Sequence, residues 1–160
     1  MDDDLFAQVH DVVRALGGPS VDDVRARVRR YGIKLWTGAA QPPRLHYEAQ
    51  VVGRRHVDGR DGVALEVGFH AEHRDEAENE AVLDRLLASE GRWRPRLGAE
   101  ATAGAFLGAP HWRRVSDVWL EPDLGGDDVA FEVGSRLVDY LEALGPLLGG
   151  DPGDRGARRG

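Results

Sequence analysis

Cysteine is absent from this 160-residue chain. Its absence excludes disulfides, zinc–thiolate sites, iron–sulfur clusters and thiol nucleophiles together. Lysine is nearly absent: Lys34 stands alone against twenty arginines. With abundant Gly, Ala and Asp, that bias reads as high-GC bacterial coding. No apolar run approaches the length of a membrane span, and Met-Asp-Asp-Asp is the reverse of a basic signal-peptide start. The expectation is a cytoplasmic protein with no membrane partner. Glycine signatures for nucleotides are missing too: no Gly-x-Gly-x-x-Gly opens a helix after a strand, and no glycine loop ends in Gly-Lys-Ser/Thr. Gly125-Gly126 precedes an expected helix, but Asp127 and Asp128 would repel a phosphate there. Gly134-Ser135-Arg136 falls inside that helix, so no serine occupies a nucleophile elbow.

What is present suits one domain with a real core, expected over residues 1–148. The hydrophobic content is 41%, the charged content 31% and the net charge −7. Residues 1–60 carry ten basic against eight acidic side chains, and residues 61–160 carry eleven against twenty. An acidic total argues against a protein that coats nucleic acid or an anionic membrane.

Helical spacing of Leu5, Phe6, Val9, Val12, Val13 and Leu16 predicts a first helix, ended by Gly17-Gly18-Pro19. Ser20 and Asp23 resemble a capping box and predict a second helix with Val21, Val24 and Val28 inward, so that residues 1–31 form a helical pair. A short strand is expected over 33–37. From Leu45 to His73 the chain reads as a β-hairpin. Leu45, Tyr47, Ala49 and Val51, then Val63, Leu65, Val67, Phe69 and Ala71, alternate with polar residues. Asp75 and Glu78 open a helix over Val82, Leu83, Leu86 and Leu87, with Gly91 as its stop. A weak strand is expected over 97–103 and a clearer one over 111–121. A last helix carries Phe131, Val133, Leu137, Leu141 and Leu144 inward and ends at Gly145-Pro146. Residues 149–160 have nothing to bury and are expected to be disordered.

Helix, helix, three strands, helix, two strands and helix make an α+β two-layer sandwich. Its sheet is antiparallel, of four to five strands, with helices on one face. This order is similar to that of type III secretion chaperones and related small bacterial domains. The similarity implies a dimeric binding module.

The hairpin's outward set holds the chemistry. Keeping apolar opposite apolar requires paired residue numbers to sum to an even value. One such register sets His46 opposite His70 and Gln50 opposite Glu66; the next sets His46 opposite Glu72 and Glu48 opposite His70. Direct cross-strand Cβ atoms lie about 5 Å apart, so either register gathers His46, His70 and Glu72 as candidate metal ligands. The candidate catalytic set is His46, Glu48, Glu66, His70 and Glu72, with an imidazole as general base and Glu48 or Glu66 orienting it. The bland reading is the solvated side of an antiparallel sheet. His10 and His56 join no cluster, and His73, of inward parity at the strand's end, reads as a helix-entry or rim residue.

Two further features compete. Arg25, Arg27, Arg29, Arg30 and Lys34 on or beside the expected second helix suggest phosphate neutralisation, although Asp22 and Asp23 sit where a recognition helix approaches bases. Trp112, Arg113, Arg114 and Trp119 lie on a strand with no cleanly apolar side, which fits an interface enriched in Trp and Arg. These features together favour a small cytoplasmic bacterial binding or interaction module, chaperone-like or adaptor-like, non-catalytic and homodimeric or with a protein partner. No cofactor is expected of it. The alternative is a small enzyme or metal/ligand-binding protein that uses the His/Glu face, a divalent metal being one option there. The third reading is nucleic-acid binding through the arginine-rich helix.

Overall fold

A computed structural model describes residues 1–38 and 42–149. Ten elements follow in order: α1 (Leu5–Gly17), β1 (Arg25–Arg29), β2 (Gly32–Trp36), β3 (Leu45–Gly53), β4 (Val63–Ala71), α2 (Glu76–Ala88), α3 (Glu90–Leu97), β5 (Thr102–Phe106), β6 (Ala109–Leu120) and α4 (Val129–Leu148). The strands form one antiparallel sheet in the order β1-β2-β3-β4-β6-β5. The fold is α+β, as the alternation implied, with six strands rather than four or five.

The extra strand comes from a correction. Residues 20–31 do not form a second helix. Gly18–Val21 makes a single 3-10 turn, the Ser20 hydroxyl donates to the Gly17 carbonyl at 2.6 Å, and β1 follows. Val24, Ala26 and Val28 alternate with Arg25, Arg27 and Arg29, a period-2 pattern that pairing with β2 exploits. Val21, Val24 and Val28 fit a helix equally well, which is why the spacing misled. The similarity of element order to secretion chaperones, read with a helical pair, is altered accordingly.

Other boundaries moved less. Gly91 lies inside α3 rather than ending α2, and the strand expected over 97–103 begins at Thr102. Trp93 on α3 is fully buried and its indole N–H donates to the Leu86 carbonyl at 2.7 Å, fixing the α2–α3 corner. Helix α4 runs through Gly145-Pro146 to Leu148. The tail expected to be disordered falls, from residue 150 onward, outside the described residues.

The helices share one face of the sheet. Ile33, Leu35, Tyr47, Ala49, Leu65, Val67, Phe69 and Val115 point toward them and are buried. Leu5, Phe6, Val9 and Val13 of α1 join Val133, Leu137, Tyr140 and Leu144 of α4 in the same core. Burying such side chains stabilises by about 1.5–3 kcal/mol each. Buried Asp117 bolts β6 to α4: it accepts from the Tyr140 hydroxyl at 2.6 Å and from Arg136 at 2.7 and 3.0 Å. Among the described residues, no helix is long and apolar enough to cross a membrane.

Candidate metal centre

Among the described residues the opposite face carries no helix, yet part of it is dry. Strand alternation sends His46, Glu48 and Gln50 of β3, and Glu66, Gly68 and His70 of β4, to this side. The hairpin takes the register that sets His46 opposite His70 and Gln50 opposite Glu66. A solvated face would expose these groups; instead His46, Glu66 and His70 are 0% exposed. Pro43, just before β3, is buried beside His46 and accepts from its Nδ1 at 3.2 Å. Phe106, at the β5–β6 turn, meets the His70 ring edge-on at 4.6 Å, and Trp112 stacks behind it at 5.8 Å.

Protons on the two rings follow from their neighbours. A carbonyl only accepts, so His46 carries its proton on Nδ1 and presents a lone pair at Nε2. Glu66 receives His70 Nε2 at 2.6 and 2.8 Å and the Gln50 amide at 3.3 Å, which leaves the His70 lone pair at Nδ1. Those two lone-pair nitrogens lie 3.3 Å apart. Glu48 Oε2 stands 3.1 Å from His46 and 3.3 Å from His70, and Glu72 Oε1 stands 3.4 and 3.6 Å from them. Two imidazole lone pairs and two carboxylates therefore converge with no donor among them.

Such a set requires a cation. Without a metal a proton supplies it: burial opposes charge on His70, but Glu66, Glu48 and Glu72 outweigh it and hold the ring's pKa well above the ordinary histidine value. Burial likewise opposes ionisation of Glu48, and its close contacts with the His46 and His70 rings overcome it and bring the carboxyl down to about 2. Glu72 is held low by the same balance. The same geometry has room for a metal ion. With bonds of about 2.0–2.1 Å, a tetrahedral ion sets its donors about 3.4 Å apart. The five separations above run from 3.1 to 3.6 Å. All four donor atoms lie within 4.8 Å of one another, and no other such group occurs among the described residues.

The surroundings have the form of a metal site's outer layer. Each ligating histidine ordinarily donates its second N–H to a carboxylate or a backbone carbonyl, and here the acceptors are Glu66 and Pro43. Gly68 lies between Glu66 and His70 on this face; a Cβ there would overlap the Val115 carbonyl and Ser116. Arg114, opposite His70 and 8% exposed, donates to the Ser116 hydroxyl at 2.8 Å. Its charge faces Glu66, and burial lowers its pKa against that attraction.

Of the candidate residues, His46, Glu48, His70 and Glu72 come together as potential ligands and Glu66 supports them from behind. The Trp/Arg strand does not form one surface. Trp112 and Arg114 face the His/Glu side, whereas Arg113 turns to α2, pairing with Glu76 at 3.0 Å and Glu80 at 2.8 Å, and Trp119 packs against the core. Pro43 and Phe106 carried no sequence signal for their roles, since one comes from the segment before β3 and the other from the end of the weakly patterned β5. Lys34 was read with the arginines rather than with the hairpin. Compared with known protein families, curated proteins and solved structures, the chain matches none.

Proposed function

We propose that this chain is a divalent transition-metal protein whose ligands are His46 Nε2, His70 Nδ1, Glu48 and Glu72. One observation carries this reading. Four acceptor atoms converge, five of their six separations at 3.1–3.6 Å, while the remaining N–H of each ring is already committed to Pro43 or Glu66. Imidazole with carboxylate suits zinc, iron(II), manganese, cobalt or nickel, and not the all-oxygen cages of calcium. Both glutamates keep 15–16% of their side chains exposed while the histidines are sealed. Further coordination thus opens on the Glu48–Glu72 side, as in sites that bind water or substrate.

Elemental analysis of protein from metal-replete medium, followed by calorimetric titration of the metal-free form with zinc and manganese, tests this. One equivalent per chain is expected, lost in His46→Ala/His70→Ala. A folded wild-type chain that takes up neither ion would refute the reading.

A second reading, an interaction module working as a homodimer or with a protein partner, is favoured by Phe131. It is 57% exposed on α4 and lines a shallow depression with Trp119, Arg136 and Asp139. Light scattering that shows only monomer, with no copurifying chain, removes that reading.

A further inference from the structure

Turning residues 25–29 into a strand moves the arginines onto the face that carries the metal cluster. In β1, Arg25, Arg27 and Arg29 pair with Trp36, Lys34 and Gly32 of β2. Lys34 in turn pairs with Glu48, and Glu48 with Gly68. Arg27, Lys34 and Glu48 therefore form one row across three strands on one side of the sheet. Neighbouring strands lie about 4.8 Å apart, which puts Arg27 about 10 Å from Glu48 at the backbone. The Lys34 ammonium is closer still, 3.9 Å from Glu48 Oε2. Its contact falls on the carboxylate that bounds the open side of the cluster.

Arginines on an edge strand also deter pairing with a second sheet. That role does not require all three to share the metal's face. Nor does it account for their lack of partners: among the described residues, no carboxylate lies within ion-pairing distance of Arg25, Arg27 or Arg29, in a chain of net charge −7. The Arg27 guanidinium is 6.0 Å from the ring centroid of Trp36. A cation over an aromatic face keeps its N–H edges free for an anion.

Resting on the metal reading above, we propose that the metal-loaded site binds a small phosphate-bearing ligand. One phosphoryl oxygen sits on the metal between Glu48 and Glu72, and the others meet Lys34 and Arg27. A metal, an ammonium point charge and a guanidinium fork together match a group with several charged oxygens better than they match a single carboxylate. A small ligand is favoured over a nucleic-acid strand because the site's remaining charge is negative and its dry part is bounded by Pro43 and Phe106.

Calorimetric titration of phenylphosphonate into the full-length protein, metal-free and zinc-loaded, tests this with the wild type, Arg27→Gln, Lys34→Gln and the distant control Arg55→Gln. Zinc loading is expected to tighten phenylphosphonate at least tenfold. Arg27→Gln and Lys34→Gln each weaken it fivefold or more, Arg55→Gln leaves it unchanged, and the zinc affinity of Arg27→Gln stays within threefold of wild type. Equal binding with and without zinc, or wild-type binding by both variants, overturns the inference. Benzoate bound as tightly as phenylphosphonate, or an oligonucleotide bound where phenylphosphonate is not, overturns it as well. Failure of zinc to bind at all sinks the metal reading; one-to-one zinc without phenylphosphonate sinks only this inference.

Discussion

His46 Nε2 and His70 Nδ1, on residues opposite each other in the β3–β4 register, face one another at 3.3 Å. Glu48 and Glu72 add negative charge to the same point, and in the metal-free chain a proton on His70 offsets it. A bound metal ion takes the place of that proton. Ligand held at 100 times its dissociation constant stabilises by about 2.7 kcal/mol. For a chain of this size that raises Tm by about 5–10 °C. Saturating zinc or manganese is expected to produce such a shift in a thermal melt, and a chelator to reverse it. His70→Ala should abolish the dependence on metal.

Glu66 touches no proposed metal position, yet it fixes which nitrogen of His70 points inward. Glu66→Ala frees the ring to turn and exchange tautomers. Loss of such an outer partner typically costs 10–100-fold in metal affinity. Titration of this variant is expected to show that loss with one-to-one stoichiometry retained. Unchanged affinity would show that packing under Phe106 alone orients the imidazole.

Much of this site was legible in the hairpin. Alternation sorted the faces, and parity placed His46, His70 and Glu72 together before any coordinates. What period-2 logic could not supply was cover, because Pro43 and Phe106 come from segments whose position depends on tertiary packing. Cover decides between a solvated face and a metal centre. The misread helix over 20–31 has a similar cause. Val24 and Val28, four apart, satisfy both periods, and only pairing with Ile33 and Leu35 of β2 resolves the stretch in favour of a strand. Helix α3 escaped notice because its apolar residues, Trp93 and Leu97, are just two, separated by Arg94, Pro95 and Arg96.

Gly134, in the middle of α4, tests the helix layer beneath the sheet. Alanine there gains about 1 kcal/mol of helix propensity in isolation. Its Cβ, however, would overlap the Val12 side chain and press on the Val9 carbonyl of α1. Overpacking of this kind costs about 1–3 kcal/mol. The second effect wins because the obstruction includes backbone. Gly134→Ala is expected to lower stability to urea by about 1–2 kcal/mol and to leave metal stoichiometry intact. A stabilised variant would mean that α1 and α4 separate easily.

Alkaline pH tests the core through its phenols. Tyr47 and Tyr140 are buried, and burial raises both pKa values, with Asp117 pushing Tyr140 further. A raised folded pKa means a contribution that is fully present below the unfolded value, about 10, and is lost as pH climbs from there toward the folded value. Above pH 10 the unfolded chain ionises these groups while the folded chain keeps them neutral. Each then costs about 1.4 kcal/mol per pH unit. With a single lysine and no cysteine in the sequence, few other side chains titrate in that range. Stability measured by urea between pH 10 and 11 is therefore expected to fall by about 2–3 kcal/mol, and by about half as much in Tyr140→Phe. An equal slope in the variant would show that the Tyr140 hydroxyl ionises in the native protein.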